Sequence, residues 1–152
     1  MITVEPIGFV RGGRADAIDD HWGEVEAVIE LDPTRVLPEA TRGLGEFSHV
    51  VVVFHMHKVV EAKVETGARH PRERADWPKV GILAQPARSR PNRIGVTTAE
   101  LVAVDGRKLR VRGLDAIDGT PVLDIKPYIA GFAPRGTIRE PAWIKELMAN
   151  YW

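Results

Sequence analysis

The chain has no cysteine. Disulfides, thiolate metal sites and cysteine nucleophiles are excluded with it. Net charge is missing as well: 21 Lys and Arg balance 21 Asp and Glu. A protein coated in nucleic-acid contacts carries a basic excess, so any such contact here has to be local. Long hydrophobic runs are also lacking. The longest, Val50 to Phe54, is far short of the roughly 20 apolar residues that cross a bilayer. The first residues, MITVEPIGFVRGGR, have no apolar signal-peptide core. Together these absences predict a cytoplasmic protein without a membrane partner. No P-loop appears, and no Ser-His-Asp order suggests itself. Gly43-Leu-Gly45 followed by Ser48 has the look of a dinucleotide fingerprint. It precedes a strand instead of following one and opening a helix, so that reading is rejected.

At 152 residues the chain predicts one domain, 1–152, large enough for a hydrophobic core without staples. Short β-type segments dominate. Ile2 to Val10 reads as a first strand broken by Gly8, and Glu24 to Leu31 as a half-buried second. Ser48 to His57 is the strongest strand signal. Alternation puts His49, Val51, Val53, His55 and His57 on one face, with Val50, Val52, Phe54 and Met56 on the other. Val80 to Ala84, Ile94 to Val104, Lys108 to Gly113 and Val122 to Ile125 are further strands, with a tight hairpin at Asp105-Gly106. Pro33 to Gly45 has room for one short helix, Lys58 to Pro78 is a long charged loop, and Pro127 to Gly136 is irregular. Pro141 to Asn150 predicts a C-terminal helix, with Trp143 and Leu147 on the stripe that docks on the core. Short strands punctuated by Gly and Pro, with little helix, predict a mainly β, β-barrel-like fold.

The stretch Gly81 to Gly95, GILAQPARSRPNRIG, organises the chemistry. Pro86 and Pro91 stiffen a loop that carries Arg88, Arg90 and Arg93. Guanidinium forks on a stiff loop suit planar or phosphate-bearing ligands; a solvated basic loop is the plainer alternative. From Lys63 to Arg93 there are eight Lys or Arg against three acids, a local basic patch in a neutral chain. His55 and His57 share a strand face with His49. Such imidazoles can ligate a metal, but without cysteine or an acidic partner at ligand spacing they read better as a pocket wall. Asp115 and Asp118 bracket the turn LDAIDGT. They serve either turn chemistry or as acceptors for a ligand's ammonium or ribose hydroxyls. Lys126 and Tyr128 close the same stretch. Trp22, in DDHWG, reads as a core anchor first and a ring-stacking surface second.

Five segments occur in one order: PIGFVR, GLGEFSHVVVVFHMH, HPRERADWPKVGILAQ, RPNRIGVT and LDAIDGTPVLDIKPY. In that order they closely resemble the TrmO/TsaA-like family, over Glu5 to Tyr128. The resemblance implies a small TsaA-like β-barrel and an S-adenosylmethionine-dependent methyltransferase. The implied acceptor is N6 of threonylcarbamoyl-adenosine beside the anticodon of tRNA. It also implies a homodimer, with the cofactor pocket near the subunit contact. Carried onto this chain, the cofactor pocket falls on Trp22, His57, Lys58, Arg88, Arg90, Val96, Arg112, Leu114, Asp115 and Asp118. Arg90, Arg93 and Lys126 would hold the substrate, and His57, Asp118 and Tyr128 are candidates for the catalytic role. No resident metal is implied.

Two family elements are altered. The arginine of an Arg-Ser-Pro element is Pro86 here, with Arg88 close by. An early Pro-Arg-Gln element is missing, and His21 and Trp22 stand about where it belongs. These departures keep open an alternative, an S-adenosylmethionine-binding protein that acts on another substrate or serves as a sensor.

Overall fold

Alternation in the segment after Ser48 decides the architecture. Val50, Val52 and Phe54 are 0 %, 0 % and 3 % exposed, while Val51, Val53 and His55 between them stay half-buried. One face of this strand therefore lies in a core, as the period-2 pattern predicts. The structure is a computed structural model that describes residues 1–152. Six antiparallel strands close a barrel in the order β1, β2, β7, β6, β3, β8. They are β1 (Gly8–Arg11), β2 (Glu26–Leu31), β3 (His49–His55), β6 (Ile94–Asp105), β7 (Lys108–Arg112) and β8 (Pro121–Pro127). A separate two-stranded ribbon joins β4 (Ala68–Arg69) to β5 (Val80–Gly81). One α-helix, α1 (Ala142–Met148), follows near the C-terminus. The mainly β barrel with a short C-terminal helix matches the expectation from sequence.

Fourteen buried side chains fill the barrel, among them Val10, Ile29, Val50, Leu109, Val111 and Val122. Each aliphatic side chain so buried contributes about 1.5–3 kcal/mol. Closure removes the exposed sheet edge that an open β-structure would present. Between β6 and β7, Asp105 pairs with Lys108, leaving Gly106 and Arg107 as the turn. Gly106 adopts φ +56° there, a conformation that glycine reaches without steric cost.

Three expectations shift. The first strand begins at Gly8, not at Ile2. Met1 to Glu5 are exposed, and Pro6 offers no N–H for pairing. Val80 to Ala84 is not a continuous strand: after Val80 and Gly81 the chain turns into a 3-10 helix, Ile82–Ala84. Its partner β4 is only two residues long, and Leu83 is 79 % exposed, so the apolar run has no second neighbour to pair with. Pro33 to Gly45 leads to two 3-10 helices, Pro38–Thr41 and Leu44–Glu46. Helix α1 docks outside the barrel interior. Trp143 packs on Trp77 with ring centroids 6.3 Å apart, and Trp77 Nε1 donates to Glu146 Oε2 at 2.7 Å. Leu147 is buried but belongs to the wall of a cleft and not to the barrel core.

Candidate functional site

The C-terminal end of β3 opens on a cleft of about 1070 Å³. Met56 and His57 continue from β3, and Gly95, Val96 and Thr97 of β6 stand beside them. The proline-stiffened loop, Pro86 to Arg90, forms another wall. The bend after Leu114 contributes Asp115, Ala116, Ile117 and Thr120. The arginine loop and the aspartate-bearing bend, about thirty positions apart in sequence, are thus walls of one hollow.

Backbone bonds hold the bend. Thr120 donates to Ile117 O through both N–H (3.1 Å) and Oγ1 (2.7 Å). Gly119 N donates to Val10 O at 2.7 Å and Asp118 N to Arg14 O at 2.8 Å. Asp115 accepts from Thr97 Oγ1 on Oδ1 and from Tyr151 Oη on Oδ2. Two neutral donors fix that carboxylate at the cleft without discharging it. Burial and the Asp115 charge push the Tyr151 hydroxyl well above the usual phenol range, so it stays a donor.

Trp22 is 2 % exposed and lines the cleft. Its Nε1 donates to Ile18 O at 2.8 Å, and the Arg14 guanidinium lies 4.6 Å from its ring centroid. His57 lines the cleft and holds Nδ1 buried without a hydrogen-bond partner. Desolvation pushes its pKa down, with the positive charges of Lys58 and His55 next; a weaker contact with the His55 backbone pulls the other way. Four side-chain polar atoms in the molecule are buried and unpartnered: His57 Nδ1, Arg69 Nε, Gln85 Oε1 and Arg93 Nε. Three of those residues, His57, Arg69 and Gln85, line this cleft. Buried polar groups are normally satisfied; three of the four exceptions belong to residues of this cleft's wall. Backbone strain gathers here too. Arg72 (φ +52°) and Glu73 (φ +58°) line the cleft, and His21 (φ +65°) precedes Trp22. Left-handed backbone at such residues persists only where its surroundings impose it.

Charge is distributed differently from the sequence expectation. Arg72 bonds Asp20 at 3.0 Å and approaches Asp19 at 4.0 Å. Arg88 donates to Ala17 O at 2.8 Å and pairs with Asp19 at 3.6 Å. Arg90 donates to Gln85 O at 3.0 Å and Ala87 O at 3.3 Å, clamping its own loop. The cleft cations left without an ion pair are Lys58, Lys63 and Arg69, besides Arg90.

Of the residues singled out from sequence, the cleft gathers Trp22, His57, Lys58, Arg88, Arg90, Val96 and Asp115. It does not gather the others. Arg112 lies between Glu26 (2.7 Å) and Glu100 (3.0 Å) on the barrel's outside. Leu114 is 1 % exposed in the core, where its side chain packs. Asp118 is exposed and accepts from Gly12 N at 2.9 Å, a turn role. Arg93 donates to Val59 O at 2.8 Å and pairs with Glu61 at 3.1 Å. Lys126 is an exposed partner of Asp124 at 2.8 Å. Tyr128 packs edge-on against His49, and Ser48 Oγ and His49 Nδ1 hydrogen-bond at 2.7 Å. His49 opens β3 and His57 follows its far end, so the two stand apart along extended chain; no group of three or more His, Asp or Glu side chains converges as a metal-ligand set. Sequence reasoning missed Arg69, Arg72, Gln85, Thr97 and Tyr151. Gln85, a polar residue ending an apolar run just before Pro86, was the visible signal among them.

The profile of the tRNA-methyltransferase O N-terminal domain matches residues 19–133. The chain belongs to that family. The match spans every cleft element from Asp19 to Thr120, and leaves α1 and Tyr151 outside it. A Pyrococcus abyssi protein named a probable S-adenosyl-L-methionine-binding protein is 36 % identical over 148 residues, covering 91 % of this chain and 74 % of that one. A mouse tRNA (adenine(37)-N6)-methyltransferase is 44 % identical over 90 residues, covering 59 % of this chain and 20 % of its own length. A solved TrmO structure superposes with a TM-score of 0.74 at 30 % identity, over 92 % of this chain and 63 % of that one. This member of the family therefore spans less than two thirds of that solved relative and a fifth of the mouse enzyme. No helix is long and apolar enough to cross a membrane.

Proposed function

We propose that the chain, as a single TsaA-like domain, binds S-adenosylmethionine in the cleft. It then transfers the methyl group to N6 of an adenosine in tRNA. The acceptor is threonylcarbamoyl-adenosine beside the anticodon. The observation that carries this is the meeting of the Pro86–Arg90 loop and the Asp115–Thr120 bend as walls of one cleft that also holds the cations Lys58, Lys63 and Arg69. Apolar walls with a few convergent polar groups fit a nucleoside-bearing cofactor.

S-adenosylmethionine, when bound, supplies an already activated methyl group, so no covalent help from the protein is needed. What the chain contributes is placement, which is worth about 7–11 kcal/mol in well-oriented systems. Asp115, fixed by Thr97 and Tyr151, accepts hydrogen bonds from an ammonium or from ribose hydroxyls. Trp22 and Met56 exclude water from the apolar part. N6 would form its bond to the methyl carbon as the carbon–sulfur bond breaks to leave a neutral thioether, and N6 would give up a proton. In this reading His57, which lines the cleft and whose pKa is lowered chiefly by desolvation, takes that proton. Lys58, Lys63 and Arg69 meet RNA phosphate or the carboxylate of the acceptor. We further propose a cytoplasmic homodimer joined near the cleft mouth, where Val96 is 63 % exposed.

A second reading, cofactor binding without tRNA methylation, is favoured by Pro86 in place of the family's arginine and by the engagement of Arg88 and Arg93 with protein groups. One experiment separates the two. Methyl transfer from labelled S-adenosylmethionine is measured on tRNA with and without the threonylcarbamoyl group. Label incorporated only into the modified tRNA is expected. Tight cofactor binding with no incorporation into either would select the second reading.

A further inference from the structure

Family membership rests on residues 19–133, yet the cleft takes part of its wall from beyond them. Leu147 of α1 and Tyr151 both line the hollow. The segment after α1 is laced to the residues that precede β2. His21 N donates to Asn150 O and Trp22 N to Tyr151 O, each at 2.8 Å. Gly23 lies against the same segment: a Cβ there would stand 2.9 Å from the backbone carbon of Trp152. The Tyr151 ring is edge-on to Trp152, with centroids 4.9 Å apart. Its hydroxyl donates to Asp115 Oδ2, and Thr97 Oγ1 donates to Oδ1. Asp115, Thr97 and Tyr151 all line the cleft.

Asp115 differs from the other acids of the cleft. Asp19 pairs with Arg72 and Arg88, and Glu73 is exposed to solvent. Asp115 is half-buried, and no Lys, Arg or His pairs with it. A carboxylate drawn part-way out of water needs both donors and a countercharge. The two hydroxyls supply a neutral donor to each oxygen. An ionised carboxylate has about four acceptor positions, so each oxygen keeps capacity for a ligand. Ribose hydroxyls would add neutral donors and leave the charge unopposed. An ammonium brings donor and countercharge together. We infer that Tyr151 is a positioning residue that sets Asp115 to receive the ammonium of the cofactor's amino-acid end. The segment after α1 is thereby part of the binding site. This inference rests on the reading that S-adenosylmethionine enters the cleft.

Calorimetry on the full chain compares S-adenosylhomocysteine with its deaminated analogue, which keeps the adenosine and the carboxylate. Wild-type protein is expected to prefer the amine by about tenfold or more. Tyr151→Phe removes one oxygen and keeps the ring that packs on Trp152. It is expected to weaken S-adenosylhomocysteine about fivefold or more, and the deaminated analogue by less than about twofold. Made in Asp115→Ala protein, the same substitution should change either affinity by less than about twofold, because the group it acts through is gone. A tyrosine that only holds the fold together would give equal losses with both ligands and in both backgrounds, and that result would overturn the inference. So would wild-type affinity in Tyr151→Phe. Equal losses with both ligands that vanish in Asp115→Ala protein would assign the carboxylate to the ribose and overturn the ammonium contact. Wild-type protein that does not bind S-adenosylhomocysteine at all would overturn the functional reading, and this inference with it.

Discussion

Asp115 and Asp118 sit three positions apart in one motif and have unlike surroundings. Asp115 takes hydroxyl donors from Thr97 and Tyr151 inside the cleft, whereas Asp118 takes a backbone N–H from Gly12 in solvent. Their sequence context alone made both equal candidates, because the partners come from β6, the C-terminus and the first turn. Asp115→Ala is expected to weaken S-adenosylhomocysteine binding about tenfold or more, and Asp118→Ala by less than about threefold. Calorimetry at one salt concentration decides; wild-type affinity in the Asp115 variant would remove it from the site. His55 and His57 allow a second prediction. Burial lowers both pKa values, helped by the Arg93 charge at His55 and the Lys58 charge at His57. Above the unfolded value of about 6.5 both states are neutral and nothing is lost. As pH falls below it, the unfolded chain takes up protons that the folded one resists, so stability falls. The urea midpoint should drop from pH 7.5 to pH 5.5, and drop less in a His55→Gln, His57→Gln double variant. Equal drops in both proteins would refute the histidine origin.

At the scale of elements, the Pro86–Arg93 loop shows how far composition reaches. Two prolines and three arginines predicted a stiff loop suited to planar or phosphate-bearing ligands, and Pro86 to Arg90 of that loop does line the cleft. What they did not reveal is where the guanidinium groups go. Arg90 turns back on the Gln85 and Ala87 carbonyls of its own loop, and Arg88 and Arg93 donate to Ala17 O and Val59 O; no local pattern encodes a carbonyl contributed by a distant loop. Lys58, which the resemblance put in the cofactor pocket, and Lys63, at the edge of the basic patch, keep their ammonium groups without an ion pair at the cleft. RNA affinity therefore ought to depend on these lysines more than on Arg93. Filter binding over a range of salt should show Lys63→Ala lowering the magnitude of the log–log slope by about one. Arg93→Ala should leave that slope in place, because its charge is already spoken for by Glu61. A reversed pattern would return the phosphate contact to the arginine loop.

Across the whole molecule, strands were legible wherever one face is buried, as in β3, because a two-residue period survives in the sequence. The length of β1 and the break in the Val80–Ala84 run were not, since both depend on which partner strand is present. Barrel closure lies further still from local sequence. It depends on β1 pairing with β2 through Gly8–Leu31 and with β8 through Gly8–Val122. Gly8 and Phe9 are common to both pairings, and Gly8 is the one without a side chain. A Cβ there would lie 2.5 Å from Glu30 O and 3.0 Å from Leu31 Cα. Those are backbone atoms of a paired strand, which cannot swing aside as a side chain would. Gly8→Ala should thus separate β1 from β2 and loosen the ring, at a cost of about 1–3 kcal/mol. The urea midpoint should fall while the slope of the transition stays constant, as expected when stability changes and unfolded-state compactness does not. Gly8 does not line the cleft, so the folded variant at low temperature should bind S-adenosylhomocysteine as the parent does. An unchanged midpoint would mean that the ring closes elsewhere, and that β1 is an accessory to the barrel instead of its seam.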